Sequence, residues 1–469
     1  MSNTVIIWVV LPIALGLGLI LLQKMPKLST ALASLIPLVL ALLALIFSES
    51  LTLQFLGRRF ILADSLTVFG RTIEITADQL RMIALLYTLC FFWNLLGRLF
   101  DVSQWSDSLS LVITSLWVSV QFINPFLYSA VIIELIALIS VPLLSPRGTP
   151  AKAGIIRFLS MQTIAMPLIL LSGWMVAGIE TSPSAQDLVL RGALLVLTGF
   201  ILWAGVFPLH SWLPMLTEES HPWTISFLLT IMQISIALFF LKFLNQYAWL
   251  RNIKDLDQVL KWVGALCLLS AGVMAVFQRN LSRVLGYLYL AETGYIVLSI
   301  ASIQQGGLEL FILSLLPRSF AFWSLGFALS ALRQEMDSDR FDFSDLSGLI
   351  WRYPLISILL LASLLNIIGL PLFALFPSKR VIWSLLTGES LLYQLFGSLG
   401  LLGMIILFLR LLGVMISPSN SAMQDKQENP IILVPVMLIV LTMVMAGIFP
   451  HIFSAPVQDL LVTFQNLLP

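Results

Sequence analysis

The run Leu188-Val189-Leu190-Arg191-Gly192-Ala193-Leu194-Leu195-Val196-Leu197-Thr198-Gly199-Phe200-Ile201-Leu202-Trp203 leads into Phe207-Pro208-Leu209-His210-Ser211-Trp212-Leu213-Pro214, and its reading decides the fold. A helix needs about 20 apolar residues to cross the hydrocarbon core of a bilayer, and this run is long enough. Two prolines then interrupt it. Proline removes a backbone donor and breaks the helical ladder, which a membrane helix tolerates only where protein or water re-satisfies the freed carbonyls. Broken helices of this kind often build ion paths in transporters.

A second interruption follows at Gly369-Leu370-Pro371 and Phe376-Pro377-Ser378-Lys379. Outward from these two, apolar runs recur with short polar connections. Candidate spans begin near residues 4, 28, 79, 107, 126, 154, 188, 223, 259, 284, 307, 354, 393 and 431. The expected fold is an all-α, polytopic membrane protein of about fourteen transmembrane helices. Composition agrees: 59% of the 469 residues are hydrophobic and 10% charged, against roughly 45–50% and about 25% in a soluble domain. A transmembrane barrel would alternate polarity in about 10-residue segments, and no such alternation occurs. The longest polar stretches, Ser48 to Asp78 and Arg333 to Tyr353, read as loops, the second with a solvated charge run from Gln334 to Arg340. The first apolar stretch, Thr4 to Leu22, has no preceding basic residue and no small-residue cleavage site, so it reads as a retained helix.

With the amino terminus outside, the odd-numbered loops hold Lys24, Lys27, Arg98, Arg147, Lys152, Arg157, Arg279, Arg283, Arg333, Arg340, Arg352 and Lys426. The even-numbered loops hold fewer basic residues, which places the odd loops in the cytoplasm. The net charge of +1 provides no bulk field to recruit nucleic acid. Cys90 and Cys267 lie in apolar runs and read as buried thiols, not as a disulfide or metal framework.

A charge at the bilayer centre costs at least about 2.5–3.5 kcal/mol on insertion scales, so each intramembrane ionisable residue needs a reason. Glu134 falls near mid-span, as a proton or ion relay or as a protonated carboxyl hydrogen-bonded between helices. Lys379 follows the second interruption, where it either exchanges a proton as a nearby charge changes or snorkels to the interface. Glu292 and Arg318 lie in neighbouring spans and are placed to pair, as a static link or as part of a relay. His210 and His221 flank a short re-entrant stretch, as helix caps or as proton-transfer groups. Trp203, Trp212 and Trp223 read as packing or interface residues. There is no dinucleotide fingerprint, phosphate loop, cysteine cluster, nucleophile elbow or metal-binding His/Glu set. No cofactor, metal or catalytic centre is therefore expected in this chain.

Phe207-Pro208-Leu209-His210-Ser211-Trp212-Leu213-Pro214 resembles the antiporter-like membrane subunits shared by respiratory complex I, its photosynthetic relatives and the multisubunit cation/proton antiporters. Asn280-Leu281-Ser282-Arg283-Val284-Leu285-Gly286-Tyr287, continuing to Gly294-Tyr295, is similar to the family's N-I-K-R-L-L-G-Y…G-Y. Asp345-Leu346-Ser347-Gly348-Leu349, Arg352 and Pro354, then Gly369-Leu370-Pro371 and Phe376-Pro377-Ser378-Lys379, resemble D-L-x-G-L…R-x-P…G-I-P…F-x-x-K. The likeness spans roughly residues 105 to 385 and is nearest the N-subunit branch, called the B subunit in chloroplasts and cyanobacteria.

The resemblance implies two inverted five-helix repeats, each with a broken helix, and a chain of charged residues along the midplane. It divides the chain into 1–104, with helices 1–3; 105–250, the first repeat; 251–415, the second; and 416–469, a last helix and tail. Glu134 matches the family's glutamate on the fifth helix and Lys379 its lysine on the broken twelfth. Between them the family's lysines fall on Trp203, Gln233 and Ser282, and a histidine falls on Glu292. A path through Gln233, or a pairing of Arg318 with Glu292, would then have to substitute. The implied role is a membrane-arm subunit of a complex-I-like quinone oxidoreductase in an inner or thylakoid membrane, taking part in proton or cation translocation. Its partners would be other membrane subunits, with redox cofactors and quinone in partner chains only. The rival readings are a docking subunit with a degenerate path, and a subunit of an antiporter or of an ion-driven inorganic-carbon uptake system.

Overall fold

The computed structural model describes residues 5–467 except 50–51, 56–57, 62–63, 69–70, 76–78, 101, 103–104, 146–151, 182–185, 337–340, 419–427, 429 and 452–458. Arg147, Arg340 and Lys426, counted toward orientation, and the end of the Gln334 to Arg340 run lie outside the described residues.

Helices dominate because long Leu-, Ile- and Ala-rich runs in hydrocarbon leave the backbone only its own carbonyls to bond. A π turn at Ile6–Val10 leads into α1 (Leu11–Leu21), followed by α2 (Pro26–Glu49), α3 (Leu80–Gly97), α4 (Ser106–Phe122), α5 (Leu127–Leu144) and α6 (Ala153–Thr181). Then come α7 (Gln186–Ala204), α8 (Trp212–Glu219), α9 (Pro222–Gln246), the short α10 (Ala248–Arg251), α11 (Leu256–Phe277) and α12 (Leu281–Ala301). The last set is α13 (Gly307–Met336), the short α14 (Leu349–Arg352), α15 (Pro354–Ile368), α16 (Phe376–Thr387), α17 (Leu391–Ile416) and α18 (Pro430–Ile448). Ten described helices are long and apolar enough to cross a membrane, and three shorter apolar ones accompany them. The chain is an integral, multi-pass membrane protein.

Helix starts fall within a few residues of the expected positions, and both proline interruptions are real breaks. The first separates α7 from α8, and the second separates α15 from α16. Helix α9 is the axis of the bundle, buried along its whole crossing, whereas only a third of the α6 and α17 crossings is buried. The remainder of α6 and α17 is apolar lateral surface, with Ile164 and Leu171 on α6 and Leu395, Leu399 and Leu402 on α17 exposed.

Close approach of α11 and α17 depends on small residues, since hydrocarbon supplies no hydrophobic drive between helices. A side chain at Gly272 or Gly400 would run into the opposing backbone, at 2.0 and 2.3 Å from a carbonyl oxygen. Asn280 caps α12 by accepting from the backbone N–H groups of Ser282 and Arg283 at 2.9 and 3.3 Å. That use explains the opening of the Asn280 to Tyr287 motif in local terms.

The Ser48 to Asp78 stretch was expected to be loop only. It carries β1 (Thr52–Phe55), β2 (Arg58–Ile61), β3 (Asp64–Val68) and β4 (Arg71–Ile75), joined as two antiparallel hairpins. β4 also pairs with β5 (Ile123–Asn124), Ile73 opposite Ile123, which ties the stretch to the α4–α5 turn. Each strand is four or five residues or fewer, too short for alternation to stand out among helical runs.

Candidate functional site

The second break begins where α15 ends. Gly369 takes φ +84°, and the N–H groups of Gly369 and Leu370 both turn back to the Leu365 carbonyl. Asn366 Oδ1 accepts from Leu375 N–H at 3.0 Å, pinning the far side of the gap to α15. The chain re-enters a helix at Phe376 with Pro377 in the first turn, where a missing donor costs nothing.

Lys379, in that first turn, sends its side chain back over Gly369. A Cβ at residue 369 would lie 2.6 Å from Lys379 Cδ, so this glycine serves both the backbone turn and the passage of the lysine stem. The ammonium donates to the Ile367 carbonyl, one of the groups left open at the end of α15, and to Glu292 Oε1. It also lies 4.2 Å from the centre of the Tyr295 ring.

Glu292 stands midway along α12, one helical turn before Tyr295. Its second oxygen accepts from Arg318 Nε at 2.9 Å, and Arg318 lies on α13 directly after Pro317. Side-chain exposure is 0% for Glu292, 2% for Arg318 and 5% for Lys379. One carboxylate thus faces two cations in a buried interior, and Arg318 Nη1 has no partner among the described residues. Desolvation of such groups is offset only by their mutual attraction and hydrogen bonds. An extra positive charge remains, so the energy of the cluster depends on the charges around it.

A neutral polar strip adjoins the cluster. Gln233 Nε2, on α9, donates to Thr293 Oγ1 at 2.7 Å and to the Tyr289 carbonyl at 3.0 Å, and the Tyr289 hydroxyl is 2.9 Å from Thr230 Oγ1. Gln233 Oε1 is buried without a partner, and Gln233 and Thr293 are the polar members of the wall of an otherwise apolar cavity of about 80 Å³ between α7, α9, α11 and α12. Tyr289, Thr293 and Tyr295 were not singled out from sequence. Their spacing of four and two residues along α12, around Glu292, is the signal that was available.

The other expected site residues lie apart. Glu134 is midway along α5 and half-buried, on a face where Val131, Leu135 and Leu138 are exposed. Thr163 Oγ1, on α6, donates to Glu134 Oε1 at 2.7 Å, while Oε2 is buried without a partner. Trp203 is fully buried against Phe200 and Phe239, and its carbonyl accepts from Gln162 Nε2. Ser282 belongs to the cap of α12. His210 sits in the first break, between α7 and α8, stacked on Phe207 with Nδ1 unpartnered. His221 caps α9, its Nδ1 accepting from Trp223 N–H at 3.2 Å. Cys90 and Cys267 are free and buried. Cys267 Sγ accepts from Phe207 N–H at the first break. The structure therefore brings Glu292, Arg318 and Lys379 together and leaves Glu134, His210 and Gln233 outside their direct contacts.

Comparison with known proteins fits this arrangement. Residues 179–390, which include both breaks and the three-residue cluster, match the family model described as NADH:quinone oxidoreductase/Mrp antiporter, transmembrane. NADH-quinone oxidoreductase subunit N of Deinococcus radiodurans is 26% identical over 286 residues, 59% of this chain and 57% of that one. Subunit N of Bdellovibrio bacteriovorus is 23% identical over 285 residues, with 58% and 57% covered. The match thus spans little more than half the length of these relatives. Among solved structures, a chain of the archaeal membrane-bound sulfane sulfur reductase superposes with a TM-score of 0.81 at 17% identity, covering 100% of both chains. A chain of the Mrp complex from a Dietzia species gives 0.79 at 15% identity, again covering 100% of both chains. A chain of Thermus thermophilus respiratory complex I gives 0.78 at 18%, covering 99% of this chain and 100% of that one. These likenesses establish a shared fold over the whole chain. The family model spans both breaks, so residues 179–390 of this chain are similar to the transmembrane region of the NADH:quinone oxidoreductase/Mrp antiporter family.

Proposed function

We propose that this chain is a membrane-arm subunit of a complex-I-like assembly and takes part in moving protons or cations across the membrane. The observation that carries this reading is the Glu292–Arg318–Lys379 cluster, a buried site with one anion and two cations set against a broken helix. Its excess charge makes it responsive to charge displaced in a neighbouring subunit, by the ordinary effect of nearby charge on protonation. Lys379 reaches across the break, and the strip through Thr293, Gln233 and Tyr289 offers polar contacts from the cluster toward α9. Glu134 supplies a second ionisable group in the first half of the chain, with an oxygen free to accept a proton or a donor. The electron-transfer chemistry belongs to other chains, and the partners are other membrane subunits.

The test is ion movement by the purified assembly in proteoliposomes. Lys379→Ala and Glu134→Gln are each expected to lower the number of ions moved per turnover while subunit composition stays intact. A second reading, a docking subunit with a lapsed path, draws on the neutral residues at Trp203, Gln233 and Ser282. Wild-type ion stoichiometry in both variants would favour it. Co-purified iron–sulfur and quinone-site subunits would support the complex-I-like assembly, and small antiporter subunits would point to a cation/proton antiporter instead.

A further inference from the structure

The apolar cavity beside Gln233 faces the bilayer as well as the bundle. Its volume is about 80 Å³, several times the roughly 10–15 Å³ that a single water needs. The floor is the buried helix α9, with Gln233 midway along it, and α12 stands beside that floor. The rim is less covered. Val259 on α11 is 49% exposed, and Leu197, Ile201 and Ala204 on α7 and Val263 on α11 are half-buried. The cavity therefore opens between α7 and α11 onto the apolar lateral surface, where Leu194 is also exposed. A molecule dissolved in the bilayer reaches it without crossing water.

The polar chemistry of the wall is one-sided. Both hydrogens of the Gln233 amide are committed, one to the Tyr289 carbonyl at 3.0 Å and one to Thr293 Oγ1 at 2.7 Å. The Thr293 hydroxyl in turn donates its own hydrogen to the Tyr289 carbonyl at 2.9 Å. These bonds fix the orientation of the amide and leave Gln233 Oε1 buried, with no donor reaching it among the described residues. The side chain wall thus offers acceptor oxygens and no free donor. An ordered water, which makes about three hydrogen bonds, is poorly held by such a wall. A ketone, ester or quinone would set a second acceptor against the first. A hydroxyl on an apolar body satisfies both halves of the site: the body lies along the aliphatic wall, and the O–H, itself costly to leave unbonded in hydrocarbon, meets the acceptor that lacks a donor. We infer that this cavity binds a lipophilic alcohol or phenol drawn from the bilayer, with its hydroxyl donating to Gln233 Oε1. Such binding does not depend on ion movement by the chain.

The experiment uses the full chain in detergent, with thermal unfolding read against added para-butylphenol or para-butylanisole, the same body with a methyl ether in place of the hydroxyl. Both are expected to raise the unfolding temperature, the phenol at about tenfold lower concentration, as one satisfied buried acceptor would give. Gln233→Leu is expected to erase the preference for the phenol, and Ala204→Phe, which fills the mouth and leaves the Gln233 hydrogen bonds in place, to abolish the response to both probes. Ala204→Phe carries the comparison if Gln233→Leu fails to fold. The inference is overturned if the phenol does not stabilise the chain, if the ether acts at the same concentration as the phenol, if the phenol keeps its advantage in Gln233→Leu, or if Ala204→Phe responds as the wild type does.

Discussion

Glu292 holds two cations, and the count of charges makes the three residues unequal. Removing its charge leaves an ammonium and a guanidinium facing each other in a buried interior, whereas removing Lys379 leaves a neutral Glu292–Arg318 pair. Loss of one partner from a buried pair costs about 3–5 kcal/mol when a charge is stranded. Glu292→Gln is therefore expected to lower the unfolding temperature of the purified chain well beyond Lys379→Met, which keeps the pair intact. Equal losses would show that the charge balance inferred from the contacts is wrong. At this scale the sequence was informative about identity and poor about association. Glu292 and Arg318 stand out as ionisable residues in adjacent apolar spans, and their pairing follows from neighbouring helices. The arrival of Lys379 on the same carboxylate was not legible, because it depends on a side chain folding back across a gap in a helix 87 residues further on. The Thr163 hydroxyl on Glu134 was equally hidden, since a threonine in a helix more often bonds its own backbone.

Elements were the most legible level. Long apolar runs and the proline pairs located the helices and both breaks, because hydrocarbon admits few alternatives to a helix and proline admits few places in one. The hairpins between α2 and α3 escaped because short alternating strands outside the bilayer carry little periodic signal. One inter-element link makes a pH prediction. Lys261, on α11, lies 2.6 Å from Glu389, in the joint between α16 and α17. The hydrogen bond from Lys261 holds the Glu389 carboxyl below its ordinary value. A carboxyl depressed in the native state contributes stability above its unfolded pKa, and that contribution is lost as pH falls through the native one. The unfolding-temperature gap between wild type and Lys261→Met is thus expected to be full at pH 7 and to close below the ordinary glutamate range, about pH 4.3. A gap that persisted in acid would assign the effect of Lys261 to packing of its stem.

At the scale of the whole molecule, the two mid-helix carboxylates Glu134 and Glu292 belong to sets that share no partner among the described residues. Glu134 and Thr163 lie on the lateral face of α5 and α6, and the Glu292 cluster lies inside α12, α13 and α16. Separate sites without shared partners add within about 0.3–0.5 kcal/mol. The stability losses of Glu134→Gln and Lys379→Met are therefore expected to sum in the double variant. A clear excess or shortfall would reveal a connection through the neutral strip around Gln233. The ammonium of Lys379 is at once counter-ion to a carboxylate and end-stop to a helix. A proton lost there slackens a joint as well as erasing a charge, so at the second break the electrical and the mechanical event are one event seen from two sides.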